Sequence, residues 1–240
     1  MGLYIDQKAA AYLEAGALAV RTFGDIPAGL AHWRGVRLVV QAFEESLEVR
    51  QRDAEHYIPG EQEGTFCAAR FPQVQQCLVL AGLHQEWLSF KRHFDNPYVT
   101  LQSAVSNNDY SPFAAEAKLH YAAWEGDMAV WEEAAPVIRK QYAWAKVNLV
   151  YFDLWAAVIQ RDAAKLDSLL PEAEAAWTAS RRRRNPDLWG GGGKVYNEFM
   201  IDRYTTTLLK IARRLGLQWQ YCSKVSEQLW PEAVITHWDD

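Results

Sequence analysis

The chain has 240 residues, half of them hydrophobic, and a formal net charge of −5 at pH 7. No apolar run approaches the ~18 residues needed to cross a bilayer, which argues against a membrane partner. The three cysteines, Cys67, Cys77 and Cys222, are too few and too scattered for a disulfide framework or a four-ligand zinc site.

The acidic balance argues against nucleic acid as the main ligand, because phosphate binding wants a basic face. It serves solubility more than steering. The start Met1-Gly2-Leu3-Tyr4-Ile5-Asp6 has neither a basic segment nor an apolar signal core, so a cytoplasmic location is expected. Asp6 stands where a myristoylation signal wants Ser or Thr.

From Leu3 to Phe23, residues Ala9, Tyr12, Leu13, Ala17 and Val20 form one helical stripe, which Gly24-Asp25-Ile26-Pro27 breaks. The spacing predicts a second helix from about Leu30 to Asp53, with Val36, Val39, Val40, Phe43 and Leu47 inward. Its outward residues are Glu44, Glu45 and Glu48. Tyr57-Ile58-Pro59-Gly60 and the polar stretch to Gly64 read as an exposed loop. A third helix follows Pro72, with Val74, Leu78 and Ala81 on one face and Gly82-Leu83 at its end. Residues 95–112 read as a long connection. Ser111-Pro112 then supplies a side-chain cap and a Pro at the first helical position.

Two stretches then align at an offset of 35 residues. The first carries Leu119, Ala122, Ala123, Gly126-Asp127, Trp131, Ala134, Ala135 and Pro136; the second carries Leu154, Ala157, Val158, Arg161-Asp162, Leu166, Leu169, Leu170 and Pro171. Each reads as a helix, a tight break at the Asp, and a second helix. Helix pairs repeating at a period of roughly 20–50 residues are the signature of stacked hairpins, each burying one apolar face against the next. Gly82-Leu83 and Trp87 lie 44 residues before Gly126-Asp127 and Trp131, as a degenerate earlier copy would.

Beyond the second hairpin, Arg181-Arg182-Arg183-Arg184 and Gly190-Gly191-Gly192-Gly193 read as a solvated loop region. A last helix is predicted from Tyr196 to Leu215, ending at Gly216 in the manner of a glycine C-cap. Leu217-Gln218-Trp219-Gln220-Tyr221 alternates like a short extended piece. The expected fold is all-α: one domain over 1–240, a compact irregular bundle of stacked helical hairpins. Its repeat-like centre lies at about 112–180, and a C-terminal helix and tail at about 195–240.

Chemistry is harder to find. Glu116 and His120 are four apart on one helix, but no second copy completes a bundle-type metal site, so an ordinary surface pair is expected. The glycines before Lys194 lack the first Gly, the hydroxyl and the preceding strand of a phosphate loop. Cys77 sits on an apolar helix face and reads as a buried hydrophobe. His84 and His93 flank a Trp-rich segment without a nucleophile or orienting partner in sequence. Most of the eleven tryptophans, including Trp87, Trp124, Trp131, Trp144, Trp155 and Trp177, have the spacing of rings wedged between helices. No catalytic residue, cofactor or metal is expected.

The C-terminal third adds a resemblance. Leu154-Trp155-Ala156-Ala157-Val158-Ile159-Gln160-Arg161-Asp162 with Leu166, Leu169 and Leu170 is followed by the arginine run, then by Leu208-Leu209-Lys210-Ile211-Ala212-Arg213-Arg214-Leu215-Gly216-Leu217. Tyr221, Cys222, Ser223 and Trp230-Pro231 close the pattern. That order resembles the helical immunity proteins of bacterial polymorphic toxin systems, most of all the immunity protein 49 family. The resemblance implies a non-catalytic antidote that occludes a cognate protein toxin. Glu44, Glu45, Glu48, Glu132 and Glu133 are the candidate acidic contacts for such a partner. A helical-repeat adaptor for peptides and a helical enzyme with a buried pocket are the alternative readings.

Overall fold

The computed structural model describes residues 3–52, 71–93, 112–142, 146–182 and 201–239. The expected loop at Tyr57–Gly64, the 95–111 connection, Cys67, Trp144, and the run from Arg183 to Gly193 lie outside them. Among the described residues every regular element is a helix, and the fold is all-α.

α1 (Leu3–Phe23), α2 (Ile26–Arg34) and α3 (Val36–Arg52) come first. Where the sequence predicts one helix from Leu30 to Asp53, the chain forms two, broken at Gly35. The break sits where α1 presses in: a Cβ on Gly35 would lie 2.5 Å from a ring carbon of Tyr12. The same closeness recurs at Gly16, where the Trp33 indole fills the place of a side chain and donates to the Leu13 carbonyl at 3.2 Å.

α4 (Phe71–Ala81), α6 (Pro112–Glu125), α8 (Lys146–Ile159) and α10 (Arg203–Arg214) form the centre. α4 packs on α6 and α10, and α8 packs on the same two. These helices hold the most buried stretches described: every residue of 74–83 and of 205–212 is inaccessible to water, apart from traces. Between them in sequence come the outer elements, α5 (His84–Phe90) with a 3-10 turn at Lys91–His93, α7 (Met128–Tyr142) and α9 (Ala163–Arg182). The short α11 (Ser226–Leu229) and α12 (Glu232–Ile235) come after α10.

The central helices end alike. Gly82, Gly126, Arg161 and Gly216 each take a left-handed φ, of +82°, +76°, +59° and +84°. Each is followed by a residue whose N–H returns to the carbonyl five residues back: Leu83 to Leu78, Asp127 to Ala122, Asp162 to Ala157 and Leu217 to Ala212. This is the Schellman closure, which satisfies carbonyls that a helix end leaves open. The sequence shows two such units, hints at a third and places a glycine C-cap at Gly216, and the structure closes all four in the same way.

The residue after the left-handed position decides the turn. Asp127 accepts from the N–H groups of Ala129 and Val130, and Asp162 from Lys165, so the next helix starts at once. Gly24-Asp25 does the same between α1 and α2, with Asp25 accepting from Ala28. Leu83 supplies no side-chain cap, and α5 stays short. After Leu217 the chain runs on without helix to Ser223, and no strand partner pairs with it among the described residues.

α10 begins at Arg203, seven residues later than predicted, because Asp202 is its cap and accepts from Thr205 N–H at 3.2 Å. It joins two apolar clusters. Ile211 packs with the cluster under α1 to α5, while Leu208, Leu209 and Ala212 pack with the cluster between α6 and α9.

Candidate functional site

The C-terminal ends of the central helices lie together. Arg161, at the end of α8, donates to the carbonyls of Ala123 and Trp124, which end α6, and to Val158 on its own helix. His84, just past α4, sets its ring at a tilt 4.9 Å from that of Trp124. Lys210 Nζ, one turn from the end of α10, donates to Leu80 O of α4 at 3.0 Å. Helix dipoles that point the same way gather partial negative charge at one pole, and cations there are stabilising. Arg161 meets that demand, and the Lys210 amine brings a hydrogen-bond donor to the same pole.

Lys210 is fully buried. Its second acceptor is Val234 O of α12 at 2.8 Å, and the Trp238 ring lies 4.9 Å away. Burial draws its pKa down to about 7; the Asp239 carboxylate pulls the other way and Arg34 adds to the lowering. The tail therefore covers the pole. Asp239 N–H donates to Gly82 O at 2.9 Å, and Arg34 pairs with the Asp239 carboxylate at 2.6 Å while contacting His237 Nε2 at 3.3 Å.

A buried carboxylate ties the start of α10 to α8, away from that pole. Asp202 is inaccessible to water and accepts from Tyr151 Oη of α8 at 2.9 Å and from the Trp230 indole at 3.3 Å. Burial raises its pKa, and the hydrogen bonds from Thr205, Tyr151 and Trp230 oppose that rise. On the outside of α9, Asp167 accepts from the consecutive N–H groups of Gln220 and Tyr221, both at 2.7 Å. Two turns along the helix, Glu174 accepts from Tyr221 Oη at 2.9 Å and Ser223 Oγ at 2.6 Å. Two carboxylates seven residues apart thus pin the segment after α10 to α9.

The acidic candidates fall on two separate helices. α3 packs on α1, α2 and α4, whereas α7 packs on α6 and α8. Glu44 on α3 is only part-exposed: it pairs with Arg92, and its Oε1 lies 3.0 Å from His93 Nε2. Burial pushes the Glu44 carboxyl up, but those hydrogen bonds outweigh it and hold the group below its usual range. Burial pulls the His93 pKa down, and its contact with Glu44 opposes that shift. Glu45 is exposed and accepts from Gln41 one turn away at 2.9 Å. Glu48, Glu132 and Glu133 are exposed.

His120 is not a surface residue. It is fully buried on α6 with its ring edge-on to Trp155 at 5.4 Å, and burial lowers its pKa to about 4, so it is neutral. The Glu116–His120 surface pair expected from the spacing is overturned because the His120 face of α6 packs on α8. Cys77 is buried, its Sγ 3.8 Å from Ala9 O, and burial pushes the thiol well above its usual range. Trp33, Trp87, Trp155, Trp177 and Trp230 are core residues, and Trp124 and Trp131 are partly buried against the same clusters.

Sequence reasoning passed over Lys210, Asp202, Asp167 and Glu174. Lys210 had one signal, a lone cation in the run Thr205–Ala212 that is otherwise free of charge. Asp202, three residues before Thr205, had the position of a helix cap. Asp167 and Glu174 had none, because their partners lie about 50 residues away in sequence.

No helix among the described residues is long and apolar enough to cross a membrane. No group of three or more His, Cys, Asp and Glu side chains among them could hold a metal ion. Comparison with known proteins finds no match: no family model, no curated protein and no solved structure is significantly similar to the chain.

Proposed function

We propose that the chain is a binding protein that neutralises a cognate protein toxin by occlusion, without catalysis. The reading rests on the resemblance of the segments around Arg161-Asp162 and Lys210–Leu217 to helical immunity proteins. The observation that carries it furthest is a division of labour among the charged groups. Asp202, Lys210, Arg161, Asp167 and Glu174 are engaged in tying helices and tail together. Glu132 and Glu133 on α7 and Glu45 on α3 stand exposed on helices whose other faces are fixed in the core.

A rigid frame with outward charges suits tight association, because little side-chain or backbone freedom is lost on docking. Exposed carboxylates suit a basic partner surface and speed encounter with it. The test is a search for a toxin reading frame immediately beside this one, followed by co-expression with its product. Co-expression should protect cells from that toxin and recover a one-to-one complex; loss of both protection and co-purification would sink the reading. Reversing charge at Glu132 and Glu133, against Glu45 and Glu48, then identifies the contacting helix from the on-rate and its salt dependence.

A further inference from the structure

We propose that residues 231–239 form a proton-coupled strap over the pole of the central helices, whose lifting carries Lys210 from a dry site into water with uptake of one proton. The strap has a fixed end and a releasable one. Trp230 holds the fixed end: its N–H donates to Ser226 O at 2.8 Å and its indole to the buried Asp202 at 3.3 Å. From Pro231 onward the chain is tied to the rest by Val234 and Ile235, each buried in one of the two apolar clusters, and by separable polar contacts. These are Val234 O on Lys210, Asp239 N–H on Gly82 O, the Arg34–Asp239 pair, and an exposed pair between Arg213 and Glu232 at 3.1 Å.

The fit at Gly82 is close. A Cβ there would lie 2.9 Å from both His237 O and Trp238 Cα, so the strap lies directly on the backbone of the α4 turn. Lys210 lies beneath it, with one acceptor on α4 and the other on α12. Removing Val234 and Trp238 from above the amine would expose it to water, where a lysine takes its ordinary affinity for protons.

The groups that face this amine are few. Asp239 favours its charged form and Arg34 opposes it. Arg214 shares the Trp238 ring, at 5.5 Å, and His84 meets the same ring edge-on, also at 5.5 Å. His237 is held between Arg34 and Asp239, 3.1 Å from the carboxylate.

Closed, the amine titrates at about 7; open, it titrates at the ordinary lysine value of 10.5. Between those values the open strap holds one more proton, so closure weakens as pH falls from 10.5 to about 7 and loses nothing more below it. The proton comes from solvent and returns there on closing.

Hydrogen exchange of the strap amides, followed by mass spectrometry and corrected for intrinsic pH dependence, tests this on the whole chain. Asp239 N–H is the reporter, because it is bonded across the strap boundary to the Gly82 carbonyl. Protection should rise about tenfold per pH unit between roughly pH 7 and 9, as one proton requires. K210M should abolish the slope, and R34A should lower protection at every pH while keeping it. A wild-type profile without slope, or an unchanged slope in K210M, would overturn the proposal. Should K210M not fold, the Lys210 ε-carbon shift in the wild-type protein decides: a midpoint about 7 supports the strap, and a midpoint near 10.5 refutes it.

Discussion

The two hairpins α6–α7 and α8–α9 share a backbone and differ at the residues that matter most. At the left-handed position the first has Gly126 and the second Arg161. A glycine adopts that conformation freely, whereas a residue with a Cβ gives up about 1–2 kcal/mol. Arg161 offsets the strain by spanning the joint, since its guanidinium closes the open carbonyls at the end of α6. Gly126 faces the same joint with room to spare: a Cβ there would stand 3.6 Å from Ile159 O, in ordinary van der Waals contact. One repeat thus supplies the loose turn and the next supplies the clamp that stacks them.

Other equivalent positions diverge in the same way. Six residues before the turn stand His120 and Trp155, which touch each other edge-on. Six residues after it stand Glu132, exposed, and Asp167, committed to the Gln220 and Tyr221 amides. The repeat fixes where helices turn. The use made of each position depends on which neighbour lies over it.

The strongest contrast between the hairpins should appear with pH. His120 in the unfolded chain takes a proton below 6.5 but in the folded chain only below about 4, because burial penalises its charged form. Its contribution is intact above 6.5 and falls away as pH drops to about 4, a loss of about 3 kcal/mol. Denaturation series across that range should show the drop, and H120F should flatten it, since the Trp155 position has nothing to titrate.

Next comes the clamp. R161A keeps the strained backbone and loses three hydrogen bonds to carbonyls, so it should cost about 2 kcal/mol in urea unfolding. R161G loses the same bonds but releases the strain, and should be about 1 kcal/mol less harmful than R161A. Equal losses in the two variants would show that the backbone at 161 carries no strain. In the other hairpin, G126A meets no atom closer than 3.6 Å, so its cost should be that of the left-handed backbone alone, about 1–2 kcal/mol.

The caps should matter least. D127A and D162A each remove a side-chain acceptor at a helix start and should each cost about 1 kcal/mol by thermal or chemical melts. Near-equality would extend the likeness of the two turns to their energetics. A D162A cost several times larger would mean that the Arg161 clamp depends on that cap.

Much of this plan was readable in the sequence. The Gly-Asp and Arg-Asp breaks, the Gly216 cap and the buried tryptophans follow from local chemistry, in which a left-handed residue and an N-cap leave a recognisable pair of letters. The single helix predicted across Gly35 is divided there into two, at a glycine whose side-chain space is taken by Tyr12, more than twenty residues earlier. The last helix started late because Asp202, a helix cap by type, is held in place by Tyr151 and Trp230. Of the acidic candidates, Glu44 differed from its neighbours only through Arg92 and His93, which lie 48 and 49 residues on.

Helix period, capping and left-handed turns act over a few residues, so the order of amino acids alone settles the all-α class, the turns and most of the buried aromatic set. That α4, α6, α8 and α10 gather their C-terminal ends at one pole is a product of packing. Packing also placed Arg161 there as a counter-charge and Lys210 as a buried donor, and laid the tail across Gly82 as a cover. Those outcomes depend on dipoles and buried charges brought together from distant parts of the chain, and electrostatic energies of that kind depend on distance and burial.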